Sequence, residues 1–144
     1  MKNYFLCLLF FAAACSSPAD KEKEEAAEND LDAARSFIQA ALKGQWGKAR
    51  DFMLQDSINE QQMDAISRVQ LSTAEKQGLW DASINIHNRK LENDSTSIII
   101  YSNSFHKENT DTLKVVKVDG RWLVDFKYLF NQNAANSTGQ THQE

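Results

Sequence analysis

Residues 115–125, Val115-Val116-Lys117-Val118-Asp119-Gly120-Arg121-Trp122-Leu123-Val124-Asp125, contain the strongest structural signal in the chain. Two apolar runs flank Asp119-Gly120, a dipeptide that favours a two-residue hairpin turn because both of its positions tolerate positive φ. The sequence therefore predicts a β-hairpin in which Val118 pairs with Arg121 and the pairing continues through Lys114 with Asp125 to Leu113 with Phe126. One face of this hairpin is predicted to receive packed helices; it carries Leu113, Val115, Trp122, Val124, Phe126 and Tyr128.

Two more strands are predicted upstream of the hairpin. Residues 82–87 alternate apolar and polar side chains, as a half-buried strand does. Asn93-Asp94-Ser95 is a turn signal, and the segment Thr96–Phe105 is too apolar for a strand with one face in water. The second strand is therefore expected to be central, followed by the hairpin strand at Asp111–Val118.

Residues 31–78 have helical periodicity instead. Leu31–Lys43 predicts an amphipathic helix that ends at Gly44, and residues 45–53 predict a short second helix. Capping boxes at Ser57-Ile58-Asn59-Glu60 and Ser72-Thr73-Ala74-Glu75 predict a third helix and a brief turn closed by Gly78. The predicted fold class is α+β, with N-terminal helices packed on a curved antiparallel sheet of about four strands.

The N-terminus predicts export and lipidation. Residues 4–14 form an apolar run directly before Cys15, too short to span a bilayer, which needs roughly 20 apolar residues. The segment resembles the bacterial lipobox, although Ala12 stands where a larger aliphatic residue is usual. We therefore expect residues 1–14 to be a cleaved lipoprotein signal peptide and Cys15 to carry the lipid that attaches the chain to a membrane.

The remaining boundaries follow from composition. Residues 15–29 are predicted to be a lipidated, flexible acidic tether, residues 30–130 the folded domain, and residues 131–144 a disordered tail. Acidic residues after a lipidated cysteine resemble a tag for export to the cell surface, and a simple soluble spacer is the alternative. The predicted location is the bacterial cell envelope, at the outer membrane, on its periplasmic or surface side.

Charge and residue spacing argue against several classes of function. The formal net charge is −4 and there is no basic cluster, which disfavours nucleic acid as a partner. Cys7 is predicted to leave with the signal peptide and Cys15 to carry lipid, so no disulfide is expected. No metal-ligand spacing, framed nucleophile or phosphate loop is present, and no metal, catalytic residue or cofactor is predicted.

The order of these elements, ending in Val115–Asp125, resembles lipoproteins with an NTF2-like domain of unknown function of the DUF4878 type. The resemblance covers about Leu31 to Phe130. It implies a bent sheet that forms a cone with its helices around a pocket. NTF2-like folds host isomerases, dehydratases and many non-catalytic binders, so the resemblance alone does not choose a function.

Five aromatic residues are candidates for lining such a pocket, with core packing as the alternative: Trp80, Tyr101, Trp122, Phe126 and Phe130. An isomerase-like site would use Asp125 as base and Tyr101 or Tyr128 as hydrogen-bond donor. Against that reading, Asp125 is also expected to form a cross-strand charge pair with Lys114.

The function predicted from the sequence is a non-catalytic, membrane-anchored binding module. Its ligand would be a small apolar molecule, a peptide or a partner protein. A lipid-anchored isomerase or hydrolase is one alternative. A structural protein that docks through its sheet face, with homodimerisation through the sheet, is the other.

Overall fold

The computed structural model describes residues 26–131, which form helices followed by an antiparallel sheet. The helices are α1 (Asp30–Leu42), α2 (Trp46–Asp51), α3 (Ser57–Ser67) and α4 (Thr73–Trp80). The strands are β1 (Ile84–Asn93), β2 (Thr96–Asn103), β3 (Asp111–Val118) and β4 (Arg121–Asp125), and they lie in the order β1-β2-β3-β4. The predicted α+β class and the central position of β2 are confirmed. The predicted signal peptide, Cys15 and residues 132–144 lie outside the described residues.

The β3–β4 hairpin has the predicted turn and register. Asp119 and Gly120 have φ values of 50° and 80°, as a type I′ turn requires. Val118 pairs with Arg121, and the ladder continues to Lys114 opposite Asp125. The ladder ends there, so the predicted pairing of Leu113 with Phe126 is wrong: the chain turns at Phe126 and residues 127–131 form a short helical segment.

The inner face of the sheet is covered mainly by α1. Buried side chains of β3 and β4 meet one buried stripe of this helix, and the Phe37 and Phe126 rings lie 5.2 Å apart. This is the face predicted to receive helices. The fully buried aliphatic side chains of the core include Met53, Met63, Ile99, Leu113, Val115 and Val124.

Both outer strands of the sheet are irregular or covered. The β1–β2 register shifts between Ile86 and Asn88 and again between Leu91 and Asn93, and such bulges bend a strand. On β4, the Val124 amide donates to the carbonyl oxygen of Phe52 at 2.8 Å. The Leu54 amide donates to the Val124 carbonyl oxygen at 2.9 Å, so the segment after α2 covers this edge.

The helix ends agree with the sequence in two places. Gly44, with φ of 65°, follows α1 as predicted, and Ser72 and Glu75 form the predicted capping box of α4. The other capping prediction is wrong. Because α3 begins at Ser57, the cap is Asp56, which accepts from the Ile58 and Asn59 amides, and Glu60 pairs instead with Arg50 at 3.0 Å.

Gly78 does not close α4 as predicted, since the helix continues to Trp80. The glycine instead lies directly against the ring of Phe105. A Cβ at position 78 would collide with that ring. Glycine at position 78 therefore allows the Phe105 ring to pack directly against the backbone of α4.

Candidate functional site

The predicted pocket residues Tyr101, Phe126 and Phe130 belong to the packing under the sheet. The Phe126 ring lies between those of Phe37 and Phe130, 5.2 Å from each centroid. Tyr101 is only 8% exposed, and Phe130 is half-buried against the core. These side chains are part of the packing between the sheet and its helices.

The two predicted tryptophans lie elsewhere. Trp122 is half-buried against the core, and the ammonium of Lys117 lies 5.6 Å from its ring centroid. Trp80 is 48% exposed at the end of α4, with the Lys43 ammonium 5.6 Å from its ring centroid. In residues 26–131 no ring contact joins either tryptophan to the phenylalanines. The structure therefore brings Phe126 and Phe130 together but does not gather the five candidates into one site.

A cavity of about 270 Å³ lies between α1 and α2, where the sequence predicted no site. Its two apolar members, Ala40 and Phe52, are almost fully buried and expose little surface to it. Polar side chains form the rest of the lining: Ser36, Gln39, Lys43, Gln45 and Lys48. The one feature of the sequence that could have indicated this cavity is the pair of lysines, Lys43 and Lys48, on either side of the turn at Gly44.

The charges around this cavity are unbalanced. Lys43 and Lys48 line it, and none of its lining residues is acidic. Within the described part of the chain, neither lysine lies within 4.0 Å of a carboxylate. Lys43 does connect the cavity to Trp80 through its cation–π contact. We call Trp80, Lys43 and the cavity the binding corner.

Asp125, the candidate base, belongs to a structural network. It lies opposite Lys114 in the ladder as predicted, but its ion pair is with the Lys127 ammonium at 2.6 Å. The predicted charge pair with Lys114 is therefore wrong. The Lys114 ammonium lies 5.9 Å from the centroid of the Tyr128 ring, the other candidate donor.

The network extends to α3 through Asn59. This buried side chain donates to Asp125 at 3.2 Å and to Asp56 at 2.9 Å, and it accepts from the Lys127 amide at 2.7 Å. The Lys127 hydrogen bond and the Asn59 amide lower the pKa of Asp56. Burial opposes ionisation of Lys127, but its two carboxylate partners raise its pKa. These contacts hold α3 against the end of the sheet.

A second ion pair, between the buried Asp30 and the exposed Arg89, joins α1 to β1. Asp30 accepts two hydrogen bonds from the Arg89 guanidinium, at 2.7 and 2.8 Å. Burial alone would raise the pKa of Asp30, but the Arg89 guanidinium outweighs it, so that pKa is lowered. Within residues 26–131, the buried Ser97 hydroxyl has no hydrogen-bond partner. The pair fixes the start of α1 on the sheet, and the sequence did not predict it because its partners are 59 residues apart.

Tyr101 and Asp111 form a second titratable pair, opposite each other in the β2–β3 ladder. Burial raises the pKa of Asp111. Burial and the charge of Asp111 together raise the pKa of Tyr101 well above its ordinary value. Neither side chain has a hydrogen bond within residues 26–131. The candidate acid–base pair in the structure is therefore Asp111 with Tyr101, and Asp125 is held in ion pairs.

The described residues contain neither a metal-ligand cluster nor a membrane-spanning helix. No group of three or more His, Cys, Asp or Glu side chains could hold a metal ion in residues 26–131. No helix in the same range is long and apolar enough to cross a membrane.

Comparison with known proteins adds one structural similarity. The chain is similar to an NTF-2 like protein of unknown function from Shewanella oneidensis MR-1, with 13% sequence identity and a TM-score of 0.47. The match covers 65% of this chain and 89% of that chain. A likeness of this size assigns no function. No protein-family model and no curated protein matches the sequence.

The architecture in hand is consistent with the NTF2-like fold that the sequence resemblance implies. Its four helices precede an open, four-stranded antiparallel sheet, and one sheet face is covered by α1. The fold establishes the α+β class but does not establish a function. Function has to be argued from the binding corner and from the Asp111–Tyr101 pair.

Proposed function

We propose that this protein is a non-catalytic binding module, carried on an envelope lipoprotein, that uses the binding corner to hold a small ligand, a peptide or a segment of a partner protein. The observation that supports this proposal is the position of Trp80. Its ring is half in solvent, and Lys43 links it to a cavity that is large enough for a chemical group.

An exposed tryptophan offers a ligand a large contact surface. Tryptophan carries a large apolar area and a polar indole N–H, and it is enriched among residues that dominate binding energies. The interior offers less room, because Phe37, Phe126 and Phe130 pack against one another there. A ligand is therefore better accommodated at the binding corner than under the sheet.

The membrane anchor is part of the same proposal. Cleavage after residue 14 and lipidation of Cys15 would give a lipoprotein of the DUF4878 type, tethered by the acidic residues that follow. Several acyl chains, at about 0.8 kcal/mol per buried methylene, make dissociation from a membrane negligible. We expect Cys15→Ser to move the protein from the membrane fraction to the soluble fraction and to abolish labelling by a palmitate analogue. Unchanged membrane association would contradict the anchor.

Native mass spectrometry tests the binding function. The full-length chain, purified in mild detergent from its own host, should carry a reproducible added mass that Trp80→Ala removes. Leu91→Ala is the matched control, since Leu91 is 55% exposed on β1, outside the binding corner. An apo mass in the unaltered protein would contradict a retained ligand, and a doubled mass would favour a homodimer through the sheet.

The Asp111–Tyr101 pair supports a second candidate function, an isomerase-like enzyme. A carboxylate with a raised pKa can act as a base, and a buried tyrosine can stabilise a developing oxyanion. If this candidate is correct, turnover of a β,γ-unsaturated ketone should be lost in both Asp111→Asn and Tyr101→Phe. Asp125→Asn is not a suitable control because it disturbs α3, whereas Asp119→Asn at the exposed turn should keep the activity. Absence of turnover in the unaltered protein would remove this candidate.

A further inference from the structure

We infer that the end of the domain formed by the two hairpin turns, Asp94-Ser95 and Asp119-Gly120, rests on the surface of a bilayer of zwitterionic lipids. We call it the hairpin end. The inference rests on the lipid anchor of the proposed function and goes beyond it, because it says which end of the domain meets the membrane. It is carried by the place where the chain enters the domain and by the side chains exposed there.

The chain enters the domain at the hairpin end. The first residue of α1, Asp30, accepts hydrogen bonds at 2.7 and 2.8 Å from Arg89, which lies on β1 five residues before the first turn. The Lys117 amide donates to a carbonyl oxygen of the first turn at 2.8 Å, which places the second turn beside the first. An anchor on Cys15 would therefore attach close to both turns, through residues 16–29, which extend at most about 50 Å.

The binding corner lies at the opposite end of the domain. Helix α1 runs away from the hairpin end for thirteen residues, about 20 Å at the helical rise, and is followed by Lys43. The Lys43 ammonium meets Trp80, four residues before β1 begins at Ile84. Ile84 pairs with Asn103, at the far end of the first hairpin. A domain that rests on its hairpin end therefore presents the binding corner away from the membrane.

The hairpin end exposes side chains that suit a lipid surface. Leu91, three residues before the first turn, is 55% exposed, and Val118, directly before the second, is 39% exposed. Trp122 is half-buried two residues after the second turn, with the Lys117 ammonium 5.6 Å from its ring centroid. Aliphatic side chains of surface-bound proteins enter the acyl boundary, and tryptophan and lysine are favoured at the level of the headgroups.

The charges of the hairpin end are balanced. Three basic and three acidic side chains lie within four residues of the turns: Lys90, Lys117, Arg121, Glu92, Asp94 and Asp119. Attraction to anionic lipid needs an excess of basic residues, which this end lacks. Zwitterionic headgroups carry a phosphate and an ammonium and can meet both signs of charge. The contact should therefore depend on apolar insertion and change little with salt.

This contact needs little affinity of its own. Two aliphatic side chains would not hold a free protein on a bilayer. A lipid on Cys15 makes the contact intramolecular, and a short linker raises the effective concentration to about millimolar. The anchor then holds the chain on the membrane, and the hairpin end sets its orientation.

The test is quenching of tryptophan fluorescence by lipid that carries a nitroxide at its headgroup. The lipidated full-length chain is reconstituted in vesicles of phosphatidylcholine and phosphatidylethanolamine, in two forms that each keep one of the three tryptophans. Trp46→Phe/Trp80→Phe keeps Trp122 at the hairpin end, and Trp46→Phe/Trp122→Phe keeps Trp80 at the binding corner. We expect Trp122 to lose about half of its emission and Trp80 to keep nearly all of it.

A second pair of variants tests which side chains make the contact, in the form that keeps Trp122. Leu91→Glu/Val118→Glu should restore the emission of Trp122 while the chain stays on the vesicles. Ile58→Glu is the matched control, because Ile58 is 52% exposed and its neighbour Asn59 bonds to Asp125 at the far end of β4. This variant should keep the quenching. Circular dichroism of both should match the parent, because all three substituted side chains are exposed.

Four results would overturn the inference: equal quenching of the two tryptophans, stronger quenching of Trp80, unchanged quenching in Leu91→Glu/Val118→Glu, or loss of quenching in high salt. The proposed anchor fails in a distinguishable way. A chain that does not float with the vesicles in a density gradient has no lipid anchor, and both statements are then wrong. A chain that floats without quenching of Trp122 keeps the anchor and overturns the orientation alone.

Discussion

Helices α1 and α4 belong to the same domain but are held in opposite ways. Six of the thirteen residues of α1 are buried, and its first residue, Asp30, is tied to Arg89. None of the eight residues of α4 is buried; its described contacts include Gly78 against Phe105 and Trp80 beside Lys43. The contrast indicates that α1 contributes buried packing to the core, while α4 carries exposed side chains and contributes little to the core.

This division suits a binding module. Segments with few buried contacts open locally at a lower free energy than the global unfolding, and binding elements are drawn from them. Because α4 contributes no buried residue, changes near Trp80 can be made without disturbing the packing of α1. Variants in the two helices should therefore separate binding from folding.

The largest expected effect is in α1. Phe37→Ala removes a buried ring that contacts Phe126, and such changes lower the free energy of unfolding by about 3–5 kcal/mol. Leu79→Ala in α4, at a half-buried position, should cost about 1 kcal/mol or less. Urea denaturation of both variants measures the difference. Equal losses would show that α4 is as firmly packed as α1.

The next effect concerns the ion pair that anchors α1. Asp30→Asn keeps the size of a fully buried side chain but removes the charge that Arg89 meets, and we expect a loss of about 1.5–3 kcal/mol. Asp32→Asn is the control on the same helix, because Asp32 is exposed. Urea midpoints that fall equally in both variants would contradict a special role for the buried pair.

Acid should loosen α1 and α3 through the same carboxylates. The pKa values of Asp30 and Asp56 are lowered in the folded protein, so the stability they contribute is present above pH 4 and is lost as the pH falls below it. Asp111 acts in the opposite direction, since its raised pKa makes its ionisation on rising pH unfavourable to the fold. Urea midpoints between pH 3 and pH 7 should fall towards acid. Asp30→Asn should flatten that fall, and Asp111→Asn should not.

The smallest effect on stability is expected in α4. Gly78→Ala gains helix propensity but must displace the Phe105 ring; because that ring is 40% exposed, we expect it to shift and the net change to stay within about 1 kcal/mol. The resonances of Phe105 and Trp80 should nevertheless shift. Gly47→Ala in α2 is the control, because nothing lies within 4 Å of its added Cβ. A large stability loss at position 78 alone would mean that Phe105 cannot move.

Local signals in the sequence predicted the hairpin because they act between neighbours. Asp119-Gly120 specifies a turn, and the turn specifies the register down to Lys114 opposite Asp125. The register does not determine which basic side chain forms an ion pair with Asp125. Because β4 ends at Asp125 and the chain turns, the Lys127 ammonium came within 2.6 Å of Asp125, and the sequence could not show that.

The binding corner could not be predicted for a related reason. Trp80 looked like a pocket residue because it is aromatic and ends an element, but helical position alone does not say that Lys43 meets its ring. The cavity is formed by the crossing of α1 and α2, and polar side chains at that crossing have no periodic signature. The apolar residues that do have one, such as Phe126, became core.

The covered edge of β4 and the bulged edge of β1 affect whether neighbouring copies of the chain can pair through their sheets. Unpaired strand edges invite other chains to add strands, which is a common route to aggregation. Here the β4 edge hydrogen-bonds to Phe52 and Leu54, and β1 is bent by two register shifts and carries Arg89, Lys90 and Glu92. If the proposed lipid anchor concentrates the chain on a membrane, these two edges should keep neighbouring copies from pairing into shared sheets.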